Sequence, residues 1–169
     1  SRKGHRFLIE AAPAILALHP DTCFLFLGEG EEEERLKSMV AEAGLEQHFT
    51  FAGYRENVGE ILTVIDILLH PATMEGFANV AMQALAAAKP VVSSAVGGMP
   101  EIVLDGETGI LVPPQNPAAI VDALDKLLSD SSLRDKLGRK GQQRVKEKFS
   151  VENMVANTLA VYEKILAEN

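Results

Sequence analysis

The run Val64-Ile65-Asp66-Ile67-Leu68-Leu69-His70-Pro71 leads into Glu75-Gly76-Phe77-Ala78-Asn79-Val80-Ala81-Met82-Gln83 and then Lys89-Pro90-Val91-Val92, and this stretch decides the fold. Its outer segments are short, apolar and turn-bounded, as strands buried on both faces are. Between them lies a helix of small residues whose mouth carries a carboxylate and a glycine. Parallel α/β sheets hold phosphorylated ligands at such helix starts, because the first backbone amides point outward and the dipole favours an anion. The stretch reads as a nucleotide site.

Working outward, four further segments fit the same architecture. Cys23 to Leu27, Phe49 to Ala52, Pro90 to Ser93 and Gly109 to Val112 join Val64 to Leu69 as five expected strands. Helical periods separate them: Phe7, Ile9, Ala11, Ile15 and Leu18; Leu36, Met39, Val40 and Ala43; Val80 and Leu85; Ile120, Leu124, Leu127 and Leu128. Alternation of this kind predicts an α/β fold, a Rossmann-like parallel sheet of right-handed βαβ units flanked by helices. Asn116-Pro117 reads as an N-cap with proline at the first helical position, starting a helix that ends near Ser129. Helical stretches over 132–148 and 151–167 close the chain. A doubly wound domain opens with a strand and this sequence opens with a helix, so the expected sheet lacks its first strand. Topology alone also admits a complete five-stranded sheet that begins with a helix.

With 169 residues, 47% of them hydrophobic and 24% charged, the chain suits one domain with one sizeable core. A formal charge of -8 argues against broad nucleic-acid binding, since a phosphate backbone would be repelled. The single Cys23 excludes an internal disulfide and a multi-cysteine zinc site, in keeping with a reducing compartment. No apolar run approaches the roughly 18 to 20 residues of a membrane span, and no signal peptide is read at the start, so a soluble, cytoplasmic protein is expected.

Taken in order, Lys3-Gly4, Gly28-Glu29-Gly30, Phe51-Ala52-Gly53-Tyr54, Ile65-Asp66-Ile67 running to His70-Pro71, Glu75-Gly76-Phe77, Lys89-Pro90-Val91-Val92, Gly97-Gly98-Met99-Pro100-Glu101 and Gly106-Glu107-Thr108-Gly109-Ile110-Leu111-Val112-Pro113 carry a resemblance. Each is weak alone; the order is specific. The chain resembles the C-terminal, nucleotide-sugar-binding domain of GT-B-fold retaining glycosyltransferases of the family-four type. The resemblance covers nearly the whole chain. It implies one nucleotide-sugar-binding domain over 1–169, with 132–169 as a C-terminal helical extension.

The roles that the resemblance implies fall on particular residues. Lys3 neutralises the donor diphosphate as a mobile point charge; read without the resemblance, Arg2 and Lys3 are a solvated terminus. Glu75 is the catalytic-site carboxylate, matching the first Glu of the family's Glu-x7-Glu motif and accepting hydrogen bonds from the donor sugar's hydroxyls; a carboxylate offers two oxygens and no donors. Read without the resemblance, Glu75 is a helix-start acid balancing the macrodipole. Gly76 lets ligand approach the backbone, and the amides of Phe77, Ala78, Asn79 and Val80 face the phosphates. Phe77 itself reads as a packing side chain, and Ala78 stands where many relatives have Gly. Gly28 borders the nucleotide, and Gly53 and Tyr54 flank the base largely through backbone groups; read without the resemblance, these are two strand-exit turns. Gln83 stands in place of the motif's second Glu, which grips the ribose; the exchange leaves open a weaker donor affinity, an altered pose or a degenerate site. Lys3 lacks the companion Arg that the family carries a few residues earlier, and Arg2 is not assumed to replace it.

Other residues stay with two readings each. His70 ends a strand in a ligand-facing position or is a satisfied structural histidine. Gly28-Glu29-Gly30 lacks the third Gly of a dinucleotide fingerprint, and Glu31 to Glu34 fill the helix entrance, which disfavours an NAD site. No Asp-x-Asp occurs and the four histidines lie on separate segments, so no metal and no cofactor is expected, the nucleotide sugar being the substrate. Lys136, Lys140, Arg144 and Lys148 form a basic stripe, read as a solvated face with no strong apolar stripe opposite and Gly138 and Gly141 weakening the helix; contact with an anionic inner membrane face is the alternative. Val155, Leu159, Tyr162 and Leu166 have core-like spacing, on a helix that in relatives returns towards the partner domain, which leaves part of this face uncovered here.

The expected function is the donor-binding half of a retaining hexosyltransferase, with a nucleotide-diphosphate sugar as ligand and an N-terminal acceptor domain of the same protein as partner. A noncatalytic degenerate donor domain, kept for assembly or regulation, is the alternative. Epimerase and phosphorylase relatives of this architecture are disfavoured, because their cofactor lysine and catalytic constellations are absent.

Overall fold

Val91 and Val92 are both fully buried, yet they belong to different cores. Successive strand residues point to opposite faces, so burial of both means that helices cover both faces of the sheet. The computed structural model describes residues 2–167. Its elements are α1 (His5–Leu18), β1 (Phe24–Phe26), α2 (Glu33–Glu42), β2 (Phe49–Phe51), α3 (Val58–Val64), β3 (Leu68–His70), α4 (Asn79–Ala86), β4 (Val91–Ser94), α5 (Met99–Ile102), β5 (Gly109–Val112), α6 (Pro117–Ser129), α7 (Ser131–Lys148) and α8 (Val151–Ala167). All strand pairs are parallel.

The expected single sheet is divided into two hydrogen-bonded groups, β1-β2 and β3-β4-β5. Most of these strands are three residues long, too short to carry a continuous ladder, and packing joins the groups instead. Phe24 and Phe49 from the first group share one core with Val92 and Val112 from the second, under Phe7, Ile15 and their neighbours of α1 and Ile120, Leu124 and Leu127 of α6. On the other face Ala81, Ala84 and Leu85 of α4 pack with Val91, Met99 and Ile102.

One local reading changes and another holds. The apolar run from Val64 is not one strand: α3 ends at Val64, whose side chain points to solvent, and the ladder starts at Leu68. Val58, Leu62 and Ile65 face the α4 core at helical spacing, and a short apolar run cannot reveal that break by periodicity. The expected start of α6 is met, with Asn116 Oδ1 accepting from the Ala119 amide at 3.0 Å and Pro117 in the first turn.

The basic stripe on α7 is not simply solvated. Adjoining it on the helix is an inward strip of Leu137, Gly138 and Gly141. A Cβ on Gly138 would lie 1.9 Å from the Ala88 carbonyl oxygen, and one on Gly141 would lie 2.5 Å from Leu85 Cδ2. These glycines let α7 press against α4, a role that outweighs their low helix propensity. Arg144 turns inward as well, donating to the carbonyls of Glu101 at 2.6 Å and Ile102 at 3.2 Å and so capping the end of α5. Lys136, Lys140 and Lys148 remain exposed. The core-like spacing on α8 meets no core: none of its described residues is buried, and Val155, Leu159, Tyr162 and Leu166 are all exposed.

Candidate functional site

The chain leaves β3 at His70 and enters α4 at Asn79, and the loop between them is fixed from two sides. On one side the Thr73 amide donates to the Arg2 carbonyl at 2.8 Å, and Gly4, at φ 70°, sits so close that a Cβ would meet the Pro71 oxygen at 1.9 Å. On the other, the Gly98 amide donates to the Gly76 carbonyl at 2.8 Å, and a Cβ on Gly97 would lie 1.7 Å from the Glu75 carbonyl oxygen. Gly97 has φ 52°, in the left-handed region that glycine alone enters without cost. Glycines on both flanks therefore set the backbone of Glu75.

Its side chain is set as firmly. Lys3 Nζ lies 2.7 Å from Glu75 Oε2, and His70 Nε2 lies 3.0 Å from the same oxygen. The Lys3 ammonium, with smaller help from His70, holds the Glu75 carboxyl below the usual carboxylate range. Burial, against the pull of Glu75, pushes His70 below the usual imidazole range. At neutral pH the pair is a carboxylate and a neutral ring, and because a carboxylate only accepts, Nε2 carries the donating hydrogen. His70 thus meets the structural reading, orienting Glu75, while also lining the neighbouring cleft.

That cleft encloses about 860 Å³ at the carboxyl ends of β1, β2 and β3. Of the residues singled out in the sequence, Lys3, Gly28, Tyr54, Asn79, Val80 and Gln83 line it. The Gly28 amide donates to the Gly53 carbonyl at 2.9 Å, so Gly53 joins the two strand-exit turns from behind. Tyr54 is largely exposed. Glu75 reaches the cleft edge through Lys3 and His70. Gly76 keeps open space where a Cβ would stand.

Phe77 and Ala78 do not line the cleft. Phe77 packs edge-on against Phe149, centroids 5.8 Å apart, as its packing reading expected. Ala78 is buried and occupies the N-cap of α4 without a side-chain cap. Sequence reasoning gave no site role to His5 and Arg55, which also line the cleft. Their positions, two after Lys3 and one after Tyr54, were the available signal. Among the described residues no group of His, Cys, Asp or Glu has a metal-holding arrangement, and no helix is long and apolar enough to cross a membrane.

The family model described as glycosyl transferases group 1 matches residues 1–144. An uncharacterized glycosyltransferase of Methanocaldococcus jannaschii is 32% identical over 95% of this chain and 42% of its own length. The crystal structure of the C-terminal domain of a glycosyl transferase group 1 family protein (LpcC) from Francisella tularensis superposes with a TM-score of 0.79 at 33% identity, covering 89% of this chain and 81% of that one. The Anabaena protein HepE, crystallised in complex with UDP-glucose, shares the fold with a TM-score of 0.84 at 24% identity, covering 95% of this chain and 46% of that one. The chain thus spans less than half of the M. jannaschii relative.

Proposed function

The chain belongs to the group 1 glycosyl transferases, and from that premise we propose that it is the donor-binding domain of a retaining hexosyltransferase that uses a nucleotide-diphosphate sugar. The observation that carries this reading is the Lys3–Glu75–His70 cluster at the edge of a cleft that the start of α4 also lines. Glu75 accepts hydrogen bonds from sugar hydroxyls. Lys3 and the uncapped first amides of α4 hold the diphosphate, which leaves with developing negative charge. In the transfer the bond from the sugar's anomeric carbon to the diphosphate breaks, a bond to the acceptor oxygen forms on the same face, and the acceptor proton passes to the leaving phosphate. With donor charge balanced by Lys3 and helix amides, no metal ion is required. The acceptor, a polysaccharide, lipid or small glycoside, is held by an N-terminal domain of the same protein, so this chain alone binds donor without efficient transfer. The reading places the protein in the cytoplasm, with exposed Lys136, Lys140 and Lys148 available for peripheral contact with an anionic membrane face.

A second reading, a noncatalytic donor domain, draws support from Gln83, which lines the cleft as a neutral amide where the family motif has a carboxylate. A thermal-shift panel of UDP, GDP, ADP and CMP with their common sugar conjugates, without added metal, separates the two. A ligand at about 100 times its dissociation constant adds about 2.7 kcal/mol, hence a Tm rise of several degrees. A larger rise with one conjugate than with its bare nucleotide is expected; no rise with any of them favours the noncatalytic domain.

A further inference from the structure

Resting on the donor-site reading above, we propose that His5 is a further donor-contacting residue, its imidazole N–H reaching the diphosphate that a nucleotide and its sugar conjugate share. Three of the four histidines have hydrogen-bond partners: His19 binds Asp125 at 2.8 Å, His48 the Thr22 carbonyl at 3.1 Å and His70 Glu75 at 3.0 Å. His5 has ring contact instead, its centroid 4.9 Å from that of Phe26. No partly buried side-chain nitrogen among the described residues is sealed from solvent without a partner, so the ring nitrogens of His5 reach solvent, and the residue lines the cleft together with Lys3 and His70. The ring is also held in place. It belongs to the first residue of α1, directly after the Gly4 turn that is locked onto Pro71.

A histidine placed this way suits an anion better than a sugar. Lys3, two residues earlier, already brings positive charge to the cleft, whereas Glu29, Glu31 and Glu32 make part of its rim acidic. An additional N–H beside Lys3 offsets that rim for an incoming diphosphate. Burial, then His70, push His5 below the usual imidazole range; Glu32 opposes and Lys3 adds to the fall. The free ring is therefore neutral at pH 7. A bound diphosphate favours its protonated form, so binding takes up a proton and tightens as pH falls from 8 to 6. His70 and Arg55 also face the cleft, so the part of this slope that disappears with His5 is the part that counts.

Calorimetric titration of the wild type, His5→Phe and His5→Gln with UDP, GDP and ADP and their glucose or mannose conjugates tests the proposal. The conjugates serve for the pH slope because their diphosphate does not titrate in this range. His5→Phe keeps a ring against Phe26 and removes the N–H; it is expected to bind nucleotide and conjugate alike about tenfold more weakly. His5→Gln keeps a donor without a titrating group and is expected to regain most of the affinity while losing the pH slope. Should His5→Phe unfold at a lower temperature than the wild type, the lost slope of His5→Gln decides. Wild-type affinity and slope in both variants overturn the role of His5, as does a loss confined to the conjugate. A wild type that binds none of these nucleotides overturns the donor-site reading itself, and this proposal with it.

Discussion

Gly97→Ala is expected to lower stability by about 3 kcal/mol and Tm by about 6–12 °C, a large part of the 5–15 kcal/mol typical of a domain. Two costs combine. At φ 52° a Cβ costs about 1–2 kcal/mol by itself. That Cβ would also stand 1.7 Å from the Glu75 oxygen and 2.8 Å from the Glu75 carbonyl carbon, both of them backbone atoms, so the loop must move, at about 1–3 kcal/mol. Gly106→Ala provides the comparison. Gly106 has φ 69° but nothing within 4 Å of its Cβ position, so it bears only the conformational cost. Urea unfolding of both variants measures the difference. Equal losses would mean that the Gly97 contact does not hold the Glu75 loop. Because the displaced segment carries Glu75, the folded Gly97→Ala protein is also expected to lose preference for a sugar conjugate over its nucleotide.

Glu75→Gln is the second large effect. A carboxylate bonding sugar hydroxyls contributes about 1.5–3 kcal/mol per charge-assisted bond, so its loss is expected to weaken conjugate binding about ten- to a hundredfold. Bare nucleotide, which lacks the sugar, should change little. Calorimetry with each ligand reads the contrast, and equal losses for both would contradict a sugar-binding Glu75. The pH sign follows from Lys3. The folded-state pKa of Glu75 lies below its ordinary value of 4.5, so the stabilising ion pair is fully present above that value and fades as pH falls through the lowered one. Wild-type preference for the conjugate depends on the ionised folded carboxylate, so it is expected to persist below pH 4.5 and to fade as pH falls through the lowered value.

Much of this was legible in the residues because the signals were local. Gly109 to Val112 forms a strand over its expected bounds, and Asn116-Pro117 starts a helix as read. Local chemistry of that kind needs no partner. Features that depend on distant contacts were harder. Gly138 and Gly141 read only as weakening their helix, because Ala88 and Leu85, the groups they admit, lie about fifty residues earlier in the chain. Arg144 looked solvated because its acceptors are the carbonyls of Glu101 and Ile102. The site divides in the same way. The motif placed Lys3 and Glu75 in one site, but their 2.7 Å pairing and the fixing of Glu75 by His70 required the fold. The side chains of Ala78, buried at the start of α4, and Phe77, packed on Phe149, do not line the cleft, a distinction that a motif does not encode.

Amide chemical-shift mapping of this chain with the nucleotide sugar that gives the largest thermal shift tests the donor site most directly. The largest perturbations are expected at Lys3, Gly28, Gly76, Asn79, Val80 and Gln83, with smaller ones at Gly76 when the bare nucleotide is used. Perturbations absent from these positions, or gathered instead at the smaller cleft of about 250 Å³ lined by Leu104, Thr108, Lys140 and Arg144, would contradict a donor site at the carboxyl edge of the sheet.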